Sequence, residues 1–378
     1  MVAPVDFVTS YTLQVNVSQV FLETSYIFPQ DDVMSKSSKD RRSNLRDVAL
    51  AANVSVATVS RVLNAPERVS QSTRERVESF IEKLDFVPSP AAIAINSGRS
   101  RILGALIPTL ESDIFARTMN AIENTIAGMG YSLVVATTND DPRIEAEKAR
   151  ELLKIGVEGL FLTGVTRDHD FLSLIRRRLI PSVVLSFYDP RYPLPTISYD
   201  NFDVGRKSAN YLAELGCESI AFISGPSHNN DRTRARWSGV QCAPNVKTVT
   251  HIETTLSING GAEACLKLIK RRSLPDAILC ATDFLAHGVM HELQRNGVDV
   301  PKEISVMGLH NLPGSDVIVP RLTTVNLPEK LMGNLSAKAL VEWLDTGNPP
   351  DHILLDTEIL ERDSSRPEKF QDNKSLKT

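Results

Sequence analysis

From Arg101 onward the chain alternates short β-branched runs with amphipathic stretches, and this alternation restricts the possible folds more than any other feature. The runs are ILGALIP (102–108), SLVVATT (132–138), GLFLTG (159–164), SVVLSF (182–187), SIAFISG (219–225), AILCAT (277–282) and ISVMGL (304–309). Helical patterns fall between them, near 114–128, 143–154, 204–215, 258–271 and 284–296. Strand and helix in regular succession predict parallel sheets covered by helices. The stretch is too long for one such sheet, so two α/β lobes are expected.

The segment before it has a different period. Leu45, Val48, Ala49 and Ala52 recur at i, i+3, i+4 and i+7, the apolar stripe of a short helix. Asn44 is placed to cap it, and Asp47 puts a negative charge in its first turn. Asn53 follows where a tight turn needs a residue tolerant of left-handed backbone. In VSVATVSRVLN (54–64), Ser55 can cap a second helix whose Val59, Val62 and Leu63 face inward. A third helix after Ser70 carries Val77, Phe80, Ile81 and Leu84 at the same spacing. Two short helices joined by a tight turn and braced by a third make a helix-turn-helix, which leaves the first turn of the second helix free to enter a major groove. A plain three-helix core has the same periodicity, and the pattern alone does not separate the two.

Charge bears on that choice. The chain carries a formal net charge of −4, unevenly spread. Residues 1–33 hold no Lys or Arg and four acids (Asp6, Glu23, Asp31, Asp32). From Lys36 to Arg101 there are 12 basic and 7 acidic residues, a surplus of 12 − 7 = 5. A basic module ahead of an acidic body is the electrostatic footprint of nucleic-acid binding. The first 33 residues lack the basic n-region of a signal peptide. Met34 opens MSKSSKDRRSNLRDVA and reads as the natural start, with residues 1–33 as upstream sequence read through; a disordered extension is the alternative. No apolar run reaches the roughly 18 residues of a membrane span. Cys217, Cys242, Cys265 and Cys280 are scattered without a CxxC pair, and predict buried thiols of a cytoplasmic protein, not disulfides or a zinc site.

Arg46 to Ala92 resembles the DNA-binding head of the LacI family of bacterial transcription regulators, through DVA, the VSxATVSRVLN block, RVSxxTRERV and Pro88. The resemblance implies that Val56 and Ala57 touch base edges and that Arg61 reaches a base or nearby phosphate. It implies backbone or flanking-base contacts for Ser55, Thr58, Ser60, Asn64 and Arg68. Val56 and Ala57 cannot hydrogen-bond, so they can only pack on thymine methyls or permit close approach, whereas an Arg can bond guanine bidentately. Ser89-Pro90-Ala91-Ala92 is a good helix start. In the family this hinge helix forms on the operator, pairs with its partner and wedges an apolar side chain into the minor groove. Ile95 stands at the wedge position here, Ala92 belongs to the same DNA-contacting segment, and Ile93 replaces a common polar or basic residue. SGRSR (97–101) reads as a flexible linker with two basic residues near phosphate.

The body resembles the family's effector domain, a periplasmic-binding-protein-like pair of α/β lobes. The matching pieces are DIFARTMNAIE, LLKIGVEGLFLTG, SYDN, LAELGCESIAFISGP, DAILCATDFLAHGVM and ISVMGL…VPRLTTV, so that with the head the likeness spans roughly residues 44–363. A ligand is expected in the cleft between lobes, at strand carboxyl ends. The match implies that Arg236 presents a cation to the effector, with Asp113 and Phe115 at the cleft lip. Thr282 stands where many members have Asn, and His310 where sugar-binding members have Asp. An imidazole in place of a carboxylate, near Arg236 and Arg232, suits the site to an anion. MGLHN…VPRLTTVNLPEKLMG and the Asp231–Thr233 triplet look most like the family's gluconate-utilisation repressors, and the expected effector is gluconate or a related sugar acid. VQCAPNVK, between Gly239 and Thr248, is short, and predicts a trimmed or irregular second lobe there.

Other chemistry is set aside. His287 and His291 are i, i+4, but HGVMH lacks the Glu that a metalloprotease helix needs, and the resemblance places them near a subunit interface. There is no phosphate loop, and FISGPS lacks the leading Gly of a nucleophile elbow. No metal, cofactor or enzymatic activity is expected. The polar, Lys-rich tail from Ser364 has no heptads for a tetramerisation coil. The expected fold is an all-α helix-turn-helix head plus a two-lobed α/β effector domain. Its divisions are 1–43 as an N-terminal extension, 44–88 as head, 89–101 as hinge and linker, 102–363 as effector and dimerisation domain, and 364–378 as tail. The expected function is a transcriptional repressor, a homodimer on a pseudo-palindromic operator under effector control, with no membrane partner. A solute-binding protein of transport would share the body, but it needs an export signal and has no use for a basic head.

Overall fold

The computed structural model describes residues 43–87, 98–271 and 274–365. The chain divides between Val87 and Pro88 into two compact units.

The first unit holds α1 (Leu45–Ala51), α2 (Val56–Asn64) and α3 (Gln71–Lys83), with a short 3-10 turn at Pro66–Arg68. Asn44 caps α1 by accepting from the Arg46 and Asp47 amides, and the Asp47 carboxylate accepts from the Asn44 amide at 2.8 Å, a reciprocal capping box. The turn after α1 is a Schellman motif. The Val54 amide donates to the Ala49 carbonyl, the Asn53 amide to the Leu50 carbonyl, and Asn53 takes φ 52°. Ser55 then caps α2 by accepting from the Thr58 amide at 3.1 Å. Val48, Ala49, Ala52, Val59, Val62, Val77 and Phe86 form the buried core. Ser43, assigned to the extension by the sequence, is tied to this unit by its hydroxyl, which donates to the Leu84 carbonyl.

The second unit contains two six-stranded sheets. Sheet 1 has strand order β11-β5-β4-β3-β1-β2, from β1 (Ile102–Ile107), β2 (Ser132–Thr137), β3 (Gly159–Thr163), β4 (Ser182–Leu185), β5 (Thr196–Ser198) and β11 (Ile353–Leu354), all parallel. Sheet 2 has order β12-β10-β9-β8-β6-β7, from β6 (Ser219–Ser224), β7 (Thr248–Glu253), β8 (Ala277–Cys280), β9 (Ser305–Leu309), β10 (Thr323–Asn326) and β12 (Glu358–Leu360); only β12 is antiparallel. The helices are α4 (Asp113–Ala127), α5 (Pro142–Lys154), α6 (His169–Arg177), α7 (Asn201–Glu214), α8 (Asp231–Gln241), α9 (Ile258–Lys270), α10 (Asp283–Arg295) and α11 (Glu329–Thr346). Strand periodicity sorts the core. Leu103, Ala105 and Ile107 join Met119 and Ile122 of α4 on one face, whereas Leu106 joins Ala149 and Leu152 of α5 and Phe171 of α6 on the other. The strand–helix alternation thus gives two parallel-sheet lobes. Sequence periodicity passed over α6, α8, α11, β5, β7 and the three closing strands.

α7 and α8 pack with their backbones in contact. A Cβ on Gly205 would overlap the Arg236 carbonyl, and one on Gly239 would overlap the Phe202 carbonyl, so both crossing positions must be glycine. This fixes the helix that carries Arg236.

Four expectations are corrected. The short connection after Gly239 does not trim the second lobe: β7 pairs with β6 over six residues, and the Lys247 and Thr248 amides both donate to the Glu218 carbonyl. Cys242 is exposed, because it lies just past the end of α8; the other three cysteines are buried. Arg99 is not a loose linker cation, since it reaches Glu158 at 3.2 Å, Asp345 at 2.7 Å and the Tyr131 hydroxyl. Ser364 and Ser365 belong to the body, not to a tail. Ser364 Oγ accepts from the Thr323 amide and donates to the Val306 carbonyl, and both serines are fully buried. Among the described residues no helix is long and apolar enough to cross a membrane.

The Schellman turn generates a stability prediction. Asn53→Val should destabilise the head by about 1–2 kcal/mol, because a β-branched residue resists left-handed backbone, while Asn53→Gly should leave it near wild type. Denaturant-dependent hydrogen exchange of the α1–α3 amides measures both, and equal effects would contradict the assigned turn.

Candidate nucleic-acid interface and ligand cleft

In the head, burial divides α2 lengthwise. Val59 and Val62 are buried, while Val56 (43% exposed), Ala57 and Arg61 lie open to solvent. Arg61 follows Ala57 by four residues, so the two share a helix face. Ser55 is exposed as the cap, Thr58 and Ser60 are half-buried, and Arg68 is exposed beside Glu67. Asn64 closes α2. Ala92, Ile93 and Ile95 lie outside the described residues. The exposed neighbour Leu50 on α1 was not singled out by sequence reasoning.

In the body, a cavity of about 630 Å³ lies where strand carboxyl ends of both sheets converge. Pro108 follows β1, Asp140 lies beyond β2, Ser186 follows β4, Thr282 follows β8 and His310 follows β9, and all of them line it. Phe115 from α4 and Phe284 from α10 add apolar surface. Asp113 is only the first residue of α4 and is not part of this lining.

Arg236 lines the cavity at 6% exposure. Its Nε donates to Asn201 Oδ1 at 2.9 Å and its Nη1 to the Ala281 carbonyl at 3.2 Å, and it bonds the Tyr199 hydroxyl. Burial lowers its pKa from the ordinary arginine value, yet a guanidinium stays charged. The same burial pushes Tyr199 up to about 12. Asn201 is itself fixed, donating from Nδ2 to the Ser186 carbonyl at 2.8 Å. Tyr199, Asn201 and Asp140 are functional candidates that sequence reasoning missed, although SYDN had been noted as a matching piece.

Two residues expected to supply positive charge line the cavity with polar groups already engaged inside the protein. Arg232 is already paired with Asp140 at 2.6 Å and Asp231 at 3.1 Å. His310 packs Nδ1 against Glu329 Oε1 at 2.7 Å with φ 93°, and its burial lowers the ring pKa against the opposing pull of Glu329. A neutral ring that donates Nδ1–H to this carboxylate leaves Nε2 as an acceptor, which suits a ligand hydroxyl and not an anion. Thr282 lines the cavity while its hydroxyl caps α10 by accepting from the Leu285 amide. Among the described residues no cluster of three or more His, Cys, Asp or Glu is arranged to hold a metal ion.

A helix-turn-helix head followed by a two-lobed α/β body enclosing a cavity defines a class, the DNA-binding regulator with a ligand-type domain. Residues 44–89 match the family of bacterial regulatory proteins of the lacI type, and residues 209–365 match the periplasmic binding protein-like domain. The chain thus carries a head of the lacI type and a periplasmic-binding-protein-like domain in one sequence. It is 29% identical to the transcriptional regulator RegA of Clostridium acetobutylicum, over 86% of this chain and 99% of RegA. It is 27% identical to the transcriptional repressor CytR of Escherichia coli, over 88% and 99%, and 29% identical to the regulator GntR of the same organism, over 80% and 92%. The Lac repressor dimer bound to operator and the anti-inducer ONPF superposes with a TM-score of 0.77 at 25% identity, covering 86% of this chain and 99% of that one. A LacI-family regulator from Silicibacter pomeroyi has a TM-score of 0.78 at 23% identity, over 85% and 99%, and shares the fold. These relatives are transcriptional regulators, not enzymes, so the transport reading is not favoured. GntR stands level with RegA and CytR, so the gluconate branch is not singled out.

On α5, Glu145 is 5% exposed and lies 3.4 Å from Arg167, and burial pushes its carboxyl up to about 7 against the pull of that arginine. The folded chain therefore keeps a proton that the unfolded chain has lost above its ordinary value of 4.5. Stability from that proton is complete below 4.5 and is lost as pH rises to about 7. Glu145→Gln cannot titrate, so its Tm relative to wild type should climb across this window and level off above it. Parallel Tm profiles would contradict the assignment.

Proposed function

We propose that this chain is a lacI-family regulator acting as a homodimeric repressor, with two heads on a pseudo-palindromic operator and a small ligand in the cleft that alters operator affinity. The observation that carries the DNA-reading part is the split of α2, with Val59 and Val62 in the core and Val56, Ala57 and Arg61 outside. In this reading Val56 and Ala57 pack on thymine methyls, Arg61 bonds a guanine edge, and Ser55, Thr58, Ser60, Asn64 and Arg68 meet phosphates or flanking bases. Residues 89–101 serve as hinge, with Ala92 and Ile95 in the central minor groove. Arg61→Ala should cost about 1–3 kcal/mol of operator binding and relax base preference, whereas Arg68→Ala should weaken all duplexes alike and reduce the salt slope by about 1. Fluorescence anisotropy with operator and scrambled DNA over a salt series measures both. Unchanged binding by Arg61→Ala would remove it from the reading face.

For the ligand, the supporting observation is Arg236, a buried guanidinium whose hydrogen bonds go to uncharged oxygens. It favours a polyhydroxylated molecule with a single anionic group, and gluconate or a related sugar acid fits that description. Thr282, His310 and Phe115 would meet its hydroxyls and carbon skeleton. With Arg232 paired to carboxylates and His310 bonded to Glu329, Arg236 is the cation this reading relies on. Calorimetry with gluconate and glucose tests this: gluconate should bind more tightly, and Arg236→Ala should abolish the difference. A preference for the neutral sugar would overturn the sugar-acid reading while leaving the cleft as a ligand site.

A further inference from the structure

The described chain crosses between the lobes three times, from β5 into α7, from β10 into α11, and from β11 into β12. β5 and β11 stand at one edge of sheet 1, and β10 and β12 at one edge of sheet 2, so all crossings gather on one side of the cleft. That side is the hinge. On the other side, the opening of α8, just beyond β6, meets the segments that follow β2 and β3. Asp231 Oδ2 accepts from the Val165 and Thr166 amides, the second at 2.7 Å. Arg232 Nη2 donates to Asp140 Oδ1 at 2.6 Å, and Asn230 Nδ2 to Asp140 Oδ2 at 3.3 Å.

We propose that Asp231 and Arg232 are an interlobe latch, closing the lip opposite the hinge onto Asp140 and the Val165–Thr166 amides, and that the latch must break before the cleft can exchange ligand. Three features support a built device over a chance contact. Asp231 and Arg232 are 5% and 7% exposed, so both charges are shielded from water when shut, although Asp140 stays partly exposed, and they regain hydration when open. Gly164 has φ +69°, and a Cβ there would overlap both the Arg232 guanidinium and the Asp231 carboxylate. The receiving loop is held from behind, where Arg167 Nη2 donates to the Gly164 carbonyl at 2.6 Å.

The latch also governs the ligand cation. Arg232 and Arg236 are i, i+4 on α8, so seating the first at the lip brings the second into the cavity. Arg232, expected from the sequence to be a ligand contact, is thereby a positioning residue whose charge is committed to closure. The consequence for ligand exchange rests on the reading of the cleft as a ligand site; the latch itself does not.

Hydrogen exchange on the full-length protein without ligand tests the latch directly. Asp231→Ala should speed exchange at Val165 and Thr166 roughly tenfold or more, the factor for losing a charge-assisted hydrogen bond, with β1 and β6 amides unchanged. Asp140→Asn keeps the shape, removes one of the two carboxylates that hold Arg232, and should speed exchange in the same loop if Asp231→Ala does not fold. Unchanged exchange at 164–166 in the folded variants would overturn the latch, whatever the ligand does. Stopped-flow with gluconate should then show faster association and dissociation in Asp140→Asn. If gluconate fails to bind wild type while the exchange result holds, the sugar-acid reading fails and the latch stands; if it binds with unaltered rates in a variant whose loop exchanges faster, the gating role is overturned.

Discussion

The body is organised around a cation buried without a formal counter-charge in direct contact. The Arg236 guanidinium is held by an amide oxygen from α7, a carbonyl after β8 and the Tyr199 hydroxyl. Burying such a group is tolerable only if its donors are satisfied and something else completes its solvation. Its place therefore depends on the close approach of α7 and α8 at Gly205 and Gly239, and on Asn201 being aimed by the Ser186 carbonyl. Lobe 1 contributes Ser186 to that chain of contacts, and lobe 2 contributes Arg236 and Ala281. A ligand anion that completes the solvation of Arg236 would thus bind where elements from both lobes converge.

The head works by a different economy, in which one nine-residue helix serves two purposes. Val59 and Val62 anchor it, and the caps at Asn44 and Ser55 and the Schellman turn at Asn53 set where it begins. This local determination is why apolar Val56 and Ala57 can stand on the outer face beside Arg61. Val56 and Ala57 are exposed because the register requires it, not because the core has failed to cover them. In the proposed reading, Val56 and Ala57 would restrict recognition to methyl contacts and fit, and hydrogen-bonded discrimination would fall to Arg61.

What was legible in the sequence follows this difference between local and distant causes. Caps, the left-handed Asn53, the inward valines and the alternating strands rest on neighbours within a few residues, and periodicity reports them. Arg236 and Phe115 were reached through family resemblance, and both line the cavity. Periodicity failed for α8, whose face is interrupted by buried Asp231, Arg232 and Arg236. Resemblance could not reveal that Arg232 is spent on Asp140, 92 residues away, or that His310 is tied to Glu329. The burial of Ser364 and Ser365 was hidden for the same reason: their partners Thr323 and Val306 belong to strands that a polar local sequence does not announce.

The central claim is that α2 reads a specific sequence in two symmetry-related copies. Selection of bound duplexes from a random pool by the full-length protein tests it most directly. Two symmetry-related heads should select an inverted repeat with thymines at the positions facing Val56 and Ala57 and a guanine facing Arg61. Enrichment of no motif, or of a single unrepeated site, would contradict it.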